Sequence, residues 1–227
     1  MVSHSQESLV LKVNDITFAA SPSVDKPLAA PLTFDVPSGT ATLVRGPSGC
    51  GKSRLLNALV GIHPLMSGEV TLFGDMRVSG LGQSARQKLL RSRIAYVGQD
   101  LHAFPGLTVS NYLEFNQRIS GEADDQQRSR GLLSALGVGA FEDRPLGALS
   151  KGQLQRVLVC GGLIRPAGLI LLDEPTSALD TGSRDALLGL LDARVGEGAS
   201  VIMVSHDPAL RDRIERQVTM TGGGSDV

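Results

Sequence analysis

The stretch Gly46 to Ser53, GPSGCGKS, constrains this chain more than any other, because it meets every required position of the phosphate-binding pattern G-x-x-x-x-G-K-S/T. The pattern acts only between a strand and a helix, and both flanks are present. Thr40 to Val44 are β-branched or apolar and read as a strand; Leu55, Leu56, Ala58, Leu59 and Val60 read as a helix that closes near Gly61 and Pro64. The glycines let successive backbone N–H groups curl round a phosphate chain, and the new helix adds its free N–H groups and positive dipole end. A glycine turn before a core helix would share some of these letters, but not the flanks. Gly46, Pro47, Ser48, Gly49, Cys50 and Gly51 are therefore expected to wrap a nucleotide. Lys52 is expected to reach its β- and γ-phosphates, and the Ser53 hydroxyl to ligate magnesium.

Composition bounds the setting. A net charge of −1 supplies no global attraction to nucleic acid or to an anionic membrane, so no direct nucleic-acid binding is expected. No run of about eighteen apolar residues appears, and the opening MVSHSQESLV lacks a basic region followed by an apolar stretch. Of the two cysteines, Cys50 lies in the phosphate loop and Cys160 in an apolar run; a reducing cytoplasm fits them better than a disulfide framework.

Taken in order, Leu9, Leu11 and Val13 alternate with polar neighbours as a half-buried strand does, and Ile16-Thr17-Phe18 extends or follows it. Ala19 to Pro31 reads as a loop, Leu32, Phe34 and Val36 as a strand, and Glu69 to Phe73 as another. Residues 84 to 93 have helical spacing before a short buried strand, Ile94 to Val97. From Leu101 to about Arg165 strand signals fade, and leucines recur in helical segments, as in a helical lobe inserted into an α/β core. Strands return at Leu169 to Leu172 and Val201 to Val204, with helix patterns at Asp185 to Leu191 and Pro208 to Arg216. The ends, residues 1 to 8 and the glycine-rich tail from Thr221, are expected to be frayed.

Two carboxylates end the buried run Leu169-Ile170-Leu171-Leu172-Asp173-Glu174. A continuous apolar run suits a central parallel strand, and ligands of such sheets sit beyond the carboxyl ends of the strands. Asp173 is thereby expected to hold magnesium, and Glu174 to polarise the attacking water. By the same logic His206 ends the strand of Val201 to Val204 and could contact the γ-phosphate; Gln99 ends that of Ile94 to Val97 and could sense magnesium or water. Ser150 reads as the N-cap of a helix whose start, with Gly152 near it, makes a second phosphate site. One active site does not need two such sites on distant segments, whereas two chains facing each other would.

These segments together resemble an ABC-type ATP-binding cassette, from about Leu9 to Val218: GPSGCGKS as Walker A, Gln99 as the Q-loop, LSKGQ as the signature, LILLDE as Walker B, Ser177-Ala178-Leu179-Asp180 as the D-loop and His206 as the switch histidine. The resemblance implies one ABC ATPase domain over 1–227: a P-loop NTPase core (about 1–99 and 166–220) with a mainly parallel central sheet, an antiparallel β subdomain, and the helical lobe inserted at about 100–165. It also implies ATP and Mg2+, and a head-to-tail homodimer in which Walker A of one chain faces Ser150, Gly152 and Gln153 of the other, with Asp180 nearby. A separate transmembrane permease is expected to dock near His102, Phe104 and Pro105, holding the chain at the cytoplasmic face of the cell membrane. Three departures stand out. Arg54 replaces the usual threonine after Walker A, Lys151 the usual glycine of the signature, and Gly161-Gly162 an Arg-Ala pair. The place of the adenine-stacking aromatic holds Ala20; Phe18, two residues earlier on the same strand face, is expected to serve instead.

The expected function is thus the ATPase subunit of a transporter. A soluble ABC ATPase of translation or DNA repair would usually carry two cassettes or a long coiled-coil insertion, and a GTPase would need an N-K-x-D motif. The short run after His206 leaves no room for the C-terminal regulatory domain of several importer ATPases, which tips the expectation slightly towards export over import.

Overall fold

In the computed structural model residues 8–19, 26–99, 104 and 106–222 are described. Ala20, His102 and Pro105 lie outside them, as do the first seven residues and the tail from 223, so the expectations at those places have no structural counterpart here.

Two sheets carry the fold. In the first, β1 (Leu9–Thr17), β2 (Leu32–Pro37), β4 (Ser67–Leu72) and β5 (Met76–Arg77) run antiparallel in the order β2-β1-β4-β5. The second is parallel in every pair, with the order β6-β7-β8-β3-β9: β3 (Ala41–Arg45), β6 (Ile94–Val97), β7 (Leu169–Asp173), β8 (Ser200–Val204) and β9 (Arg216–Thr219). The helices are α1 (Lys52–Leu59), α2 (Gln83–Ser92), α3 (Val109–Ile119), α4 (Gln126–Ala135), α5 (Lys151–Leu163) and α6 (Thr181–Gly196). This α/β architecture is the one expected, with α3, α4 and α5 packed together as the helical lobe.

The central strands read as unbroken apolar runs because both faces are covered. Along β7, Ile170 and Leu172 join the cluster that contains the lobe residues Leu113, Leu133 and Val157, whereas Leu169 and Leu171 join the cluster of α1 and the antiparallel sheet. β8 divides in the same way, Val201 and Met203 against Ile202 and Val204. Each aliphatic side chain buried this way contributes about 1.5–3 kcal/mol of transfer free energy.

Two elements differ from expectation. Pro208 to Arg216 is not a helix. Asp207 caps a single 3-10 turn over Pro208–Leu210, the Gln217 amide then ties the carbonyls of Arg211 and Ile214, and the chain continues into β9 at the sheet edge. Its short alternating stretch gains a partner only from the exposed edge of β3, a tertiary contact. In β1, the alternation breaks at a bulge where Asp15 takes φ 49°. Before it Leu11 and Val13 face the core; after it Ile16 and Phe18 do.

The glycine pair of α5 is explained by close packing. A Cβ on Gly161 would lie 2.4 Å from the Tyr112 ring of α3, and one on Gly162 would lie 2.5 Å from Val97 of β6. Lobe and sheet approach α5 so closely there that hydrogen is the only side chain that fits.

Candidate nucleotide site

Parallel pairing brings the carboxyl ends of β3, β6, β7 and β8 to one edge of the sheet, and a cavity of about 790 Å3 opens there. Ser48, Gly49, Gly51, Lys52, Ser53 and Arg54 form one wall; Gln99, Glu174 and His206 face them. Residues expected from four separate segments are thus brought together.

The loop before α1 depends on Gly51, whose φ of 95° disfavours a side chain and whose Cβ would sit 2.5 Å from Leu28 and 3.1 Å from Phe18. Cys50 is buried within the loop. Lys52 is 6% exposed, and its Nζ donates to the carbonyls of Gly46 and Pro47, each at 3.0 Å, so the lysine holds the loop closed on itself while one N–H remains. No acidic residue stands in the first turn of α1, so the helix itself places no negative charge against an anion at its N-terminus.

Asp173 ends β7 and is 3% exposed. Burial pushes its carboxyl above the usual carboxylate range; a hydrogen bond from Ser53 pulls the other way, the Glu174 charge raises it again, and the Gln99 backbone and Lys52 lower it. Its Oδ1 is buried with no hydrogen-bond partner among the described residues. A carboxylate short of partners beside a hydroxyl and an amide suits a hard cation that keeps few protein ligands and takes the rest from phosphate and water, as magnesium does. Ser53, Asp173 and Gln99 fit that ion.

Glu174 has φ 51°, a left-handed conformation costing a non-glycine residue about 1–3 kcal/mol. Its N–H donates to the Val204 carbonyl at 2.9 Å. Its carboxylate meets His206 twice: the His206 backbone N–H donates to Oε2, and Nε2 lies 3.3 Å from Oε1. Sequence reasoning did not reach Thr176 and Ser205, which also line the cavity and share a buried hydrogen bond of 3.1 Å. Ser205 precedes His206 at the strand end, which was the available signal.

Phe18 does not take the expected place in the cavity. It is 1% exposed, packs edge-on against His63 and lies under Gly51, where it cannot stack on a base. The bulge at Asp15 turned it inward, a shift invisible to strict alternation. Arg54 does line the cavity, its Nη1 donating to the Ala19 carbonyl at 3.1 Å. Ser150, Gly152, Gln153 and Asp180 do not line it. Ser150 and Gln153 form a reciprocal capping box at the start of α5, and Asp180 caps α6 through Ser183, whose N–H holds the Asp180 carboxyl below its ordinary range.

The family model described as ABC transporter matches residues 29–177. This chain belongs to the ABC transporter family. It is 31% identical to the zinc transport system ATP-binding protein TroB of Treponema pallidum, over 91% of this chain and 76% of that protein. It is 34% identical to the lipoprotein-releasing system ATP-binding protein LolD of Cereibacter sphaeroides, over 84% and 86%. A macrolide export ATP-binding/permease protein MacB of Paracoccus denitrificans is 35% identical over 85% of this chain, which spans only 29% of that protein's length. Among solved structures, a dimeric bacterial ABC transporter cassette superposes with a TM-score of 0.84, covering 93% of this chain and 94% of that one at 24% identity, a likeness of fold. The chain is therefore an ABC cassette of a family that hydrolyses ATP. Among the described residues, no helix is long and apolar enough to cross a membrane.

Proposed function

We propose that this chain binds ATP and magnesium in the cavity above β3 and β7, hydrolyses the γ-phosphate bond, and drives a separate transmembrane permease from the cytoplasmic face of the membrane. The placement of Glu174 carries the reading: a strained, half-buried glutamate lining the phosphate cavity, one residue after the orphaned Asp173 oxygen. Lys52 and the loop N–H groups attract the phosphate chain. Magnesium held by Ser53 and Asp173, with Gln99 beside them, would neutralise phosphate charge. The Glu174 carboxylate orients a water and accepts its proton; His206, whose backbone N–H donates to Oε2 and whose Nε2 lies 3.3 Å from Oε1, fixes their direction.

The described residues act as one ATPase unit, paired head to tail with a second copy. Ser150, Gly152, Gln153 and Asp180 lie outside the chain's own cavity on two helix starts, which supports their serving a partner's nucleotide. The macrolide export and lipoprotein release of the relatives MacB and LolD support export or release over import.

Glu174→Gln tests the reading. It keeps size and hydrogen-bonding reach but accepts no proton, so hydrolysis should slow about a hundredfold or more. ATP with magnesium, and not ADP, should drive this variant into a stable dimer seen by size-exclusion chromatography with light scattering. Turnover at the parent rate would remove Glu174 from the chemistry. Co-purification with ribosomes or DNA instead of a membrane subunit would overturn the transport role.

A further inference from the structure

α5 carries on its inward side an amide that the proposed chemistry does not use. Gln155 is 7% exposed, two residues past the capping box, and its Nε2 donates to the Glu174 carbonyl at 2.7 Å and to Ser177 Oγ at 3.2 Å. Among the described residues it is the only side chain bonded to the backbone of Glu174. The other backbone ties are the Ser177 N–H on the same carbonyl at 3.2 Å and the Val204 carbonyl on the Glu174 N–H.

These bonds fall on a residue whose backbone is in the left-handed region. Such a conformation persists only where its surroundings over-determine it. The Glu174 carbonyl has two lone pairs, one taken by the local turn through Ser177 and the other by Gln155 from a distant helix. Together they fix the peptide plane that follows Glu174 and so the rotation of that residue about its own backbone. The N–H on the other side is fixed by β8. What remains free is the side chain, and His206 holds that. Removing the Gln155 donor frees one end of this frame. The neighbouring Asp173 keeps its place, because it is set by β7 pairing with β8.

We propose that Gln155 is a positioning residue: its amide holds Glu174 in the left-handed turn that points the carboxylate at the attacking water. It touches no reactant, and its effect runs wholly through Glu174, so the inference rests on the reading of Glu174 as the base. A glutamine that merely filled the core would affect folding without separating turnover from binding.

Gln155→Met keeps the length and removes both donations. Measured on the full chain, kcat for ATP should fall about ten- to a hundredfold, the scale of a misplaced reacting group. KM, the dissociation constant for ATP and the ATP-driven pairing should stay within about twofold of the parent, since positioning touches only the chemical step. Gln155→Glu, which presents an acceptor to the carbonyl at pH 8, should give the same split by a second route and covers a methionine variant that folds badly. In the Glu174→Gln background neither substitution should slow residual hydrolysis further, because there is no base left to aim. Parent kcat in the folded variants, or a loss that multiplies undiminished onto Glu174→Gln, would overturn the positioning role while leaving Glu174 as the base. Parent-rate turnover by Glu174→Gln alone would overturn both.

Discussion

Asp173 shows how one side chain can serve function at the expense of stability. Its carboxyl is held above the ordinary range, chiefly by burial, so the folded state binds its proton more tightly than the unfolded state does. Folding stability therefore falls as pH rises from the ordinary carboxylate range through the raised folded value, and the loss is complete above it. Asp173→Asn removes the charge. In scanning calorimetry without nucleotide the variant should melt higher than the parent at pH 7.5, and the gap should close on acidification. Magnesium should no longer strengthen ATP binding to it. A variant less stable than the parent at pH 7.5 would show that Asp173 is compensated in a way the geometry does not reveal. At Cys160, burial pushes the thiol to about 12, so it serves as core packing beside Val159 and Leu163.

At the scale of elements, glycines in two helices have opposite meanings. Gly161 faces Tyr112 at contact distance, whereas Gly189 in α6 is exposed with nothing within 4 Å of where a Cβ would stand. Alanine adds roughly 1 kcal/mol of helix propensity at either position. At Gly189 that gain should appear as about 1 kcal/mol of added stability in urea unfolding. At Gly161 it is opposed by overpacking of about 1–3 kcal/mol, so Gly161→Ala should lose stability. The same sign for both substitutions would refute this account of the glycine pair. Helix starts follow local chemistry: Thr108, Asp125, Ser150 and Asp180 each cap a helix by accepting from the backbone three residues on.

For the whole molecule, the separation of the two groups of site residues matters most. The phosphate loop, Gln99, Glu174 and His206 converge on one cavity, and the α5 start does not. If Ser150 serves a second chain, Ser150→Arg should leave ATP affinity of the monomer within about twofold of the parent, as only the partner's site is touched. It should abolish turnover and ATP-driven pairing, measured by light scattering and phosphate release. Monomer affinity and turnover falling together would place Ser150 in its own chain's site.

What the sequence determined by itself were features whose causes are local or periodic: the phosphate loop with its strand and helix, the doubly covered runs of β7 and β8, the cap at Ser150 and the inserted helical lobe. Each follows from spacing within about ten residues, so neighbouring side chains suffice to specify it. Tertiary structure decided the rest. A bulge at Asp15 reversed which residues of β1 face inward and took Phe18 from the nucleotide. The open edge of β3 made β9 a strand where helical spacing pointed elsewhere. Tyr112 and Val97 supplied the reason for two glycines that local propensity opposes. Gln155 reaches Glu174 across 19 positions of sequence. No local pattern marks such a bond, because its energy comes from burying an amide against a carbonyl that only the completed fold brings to it.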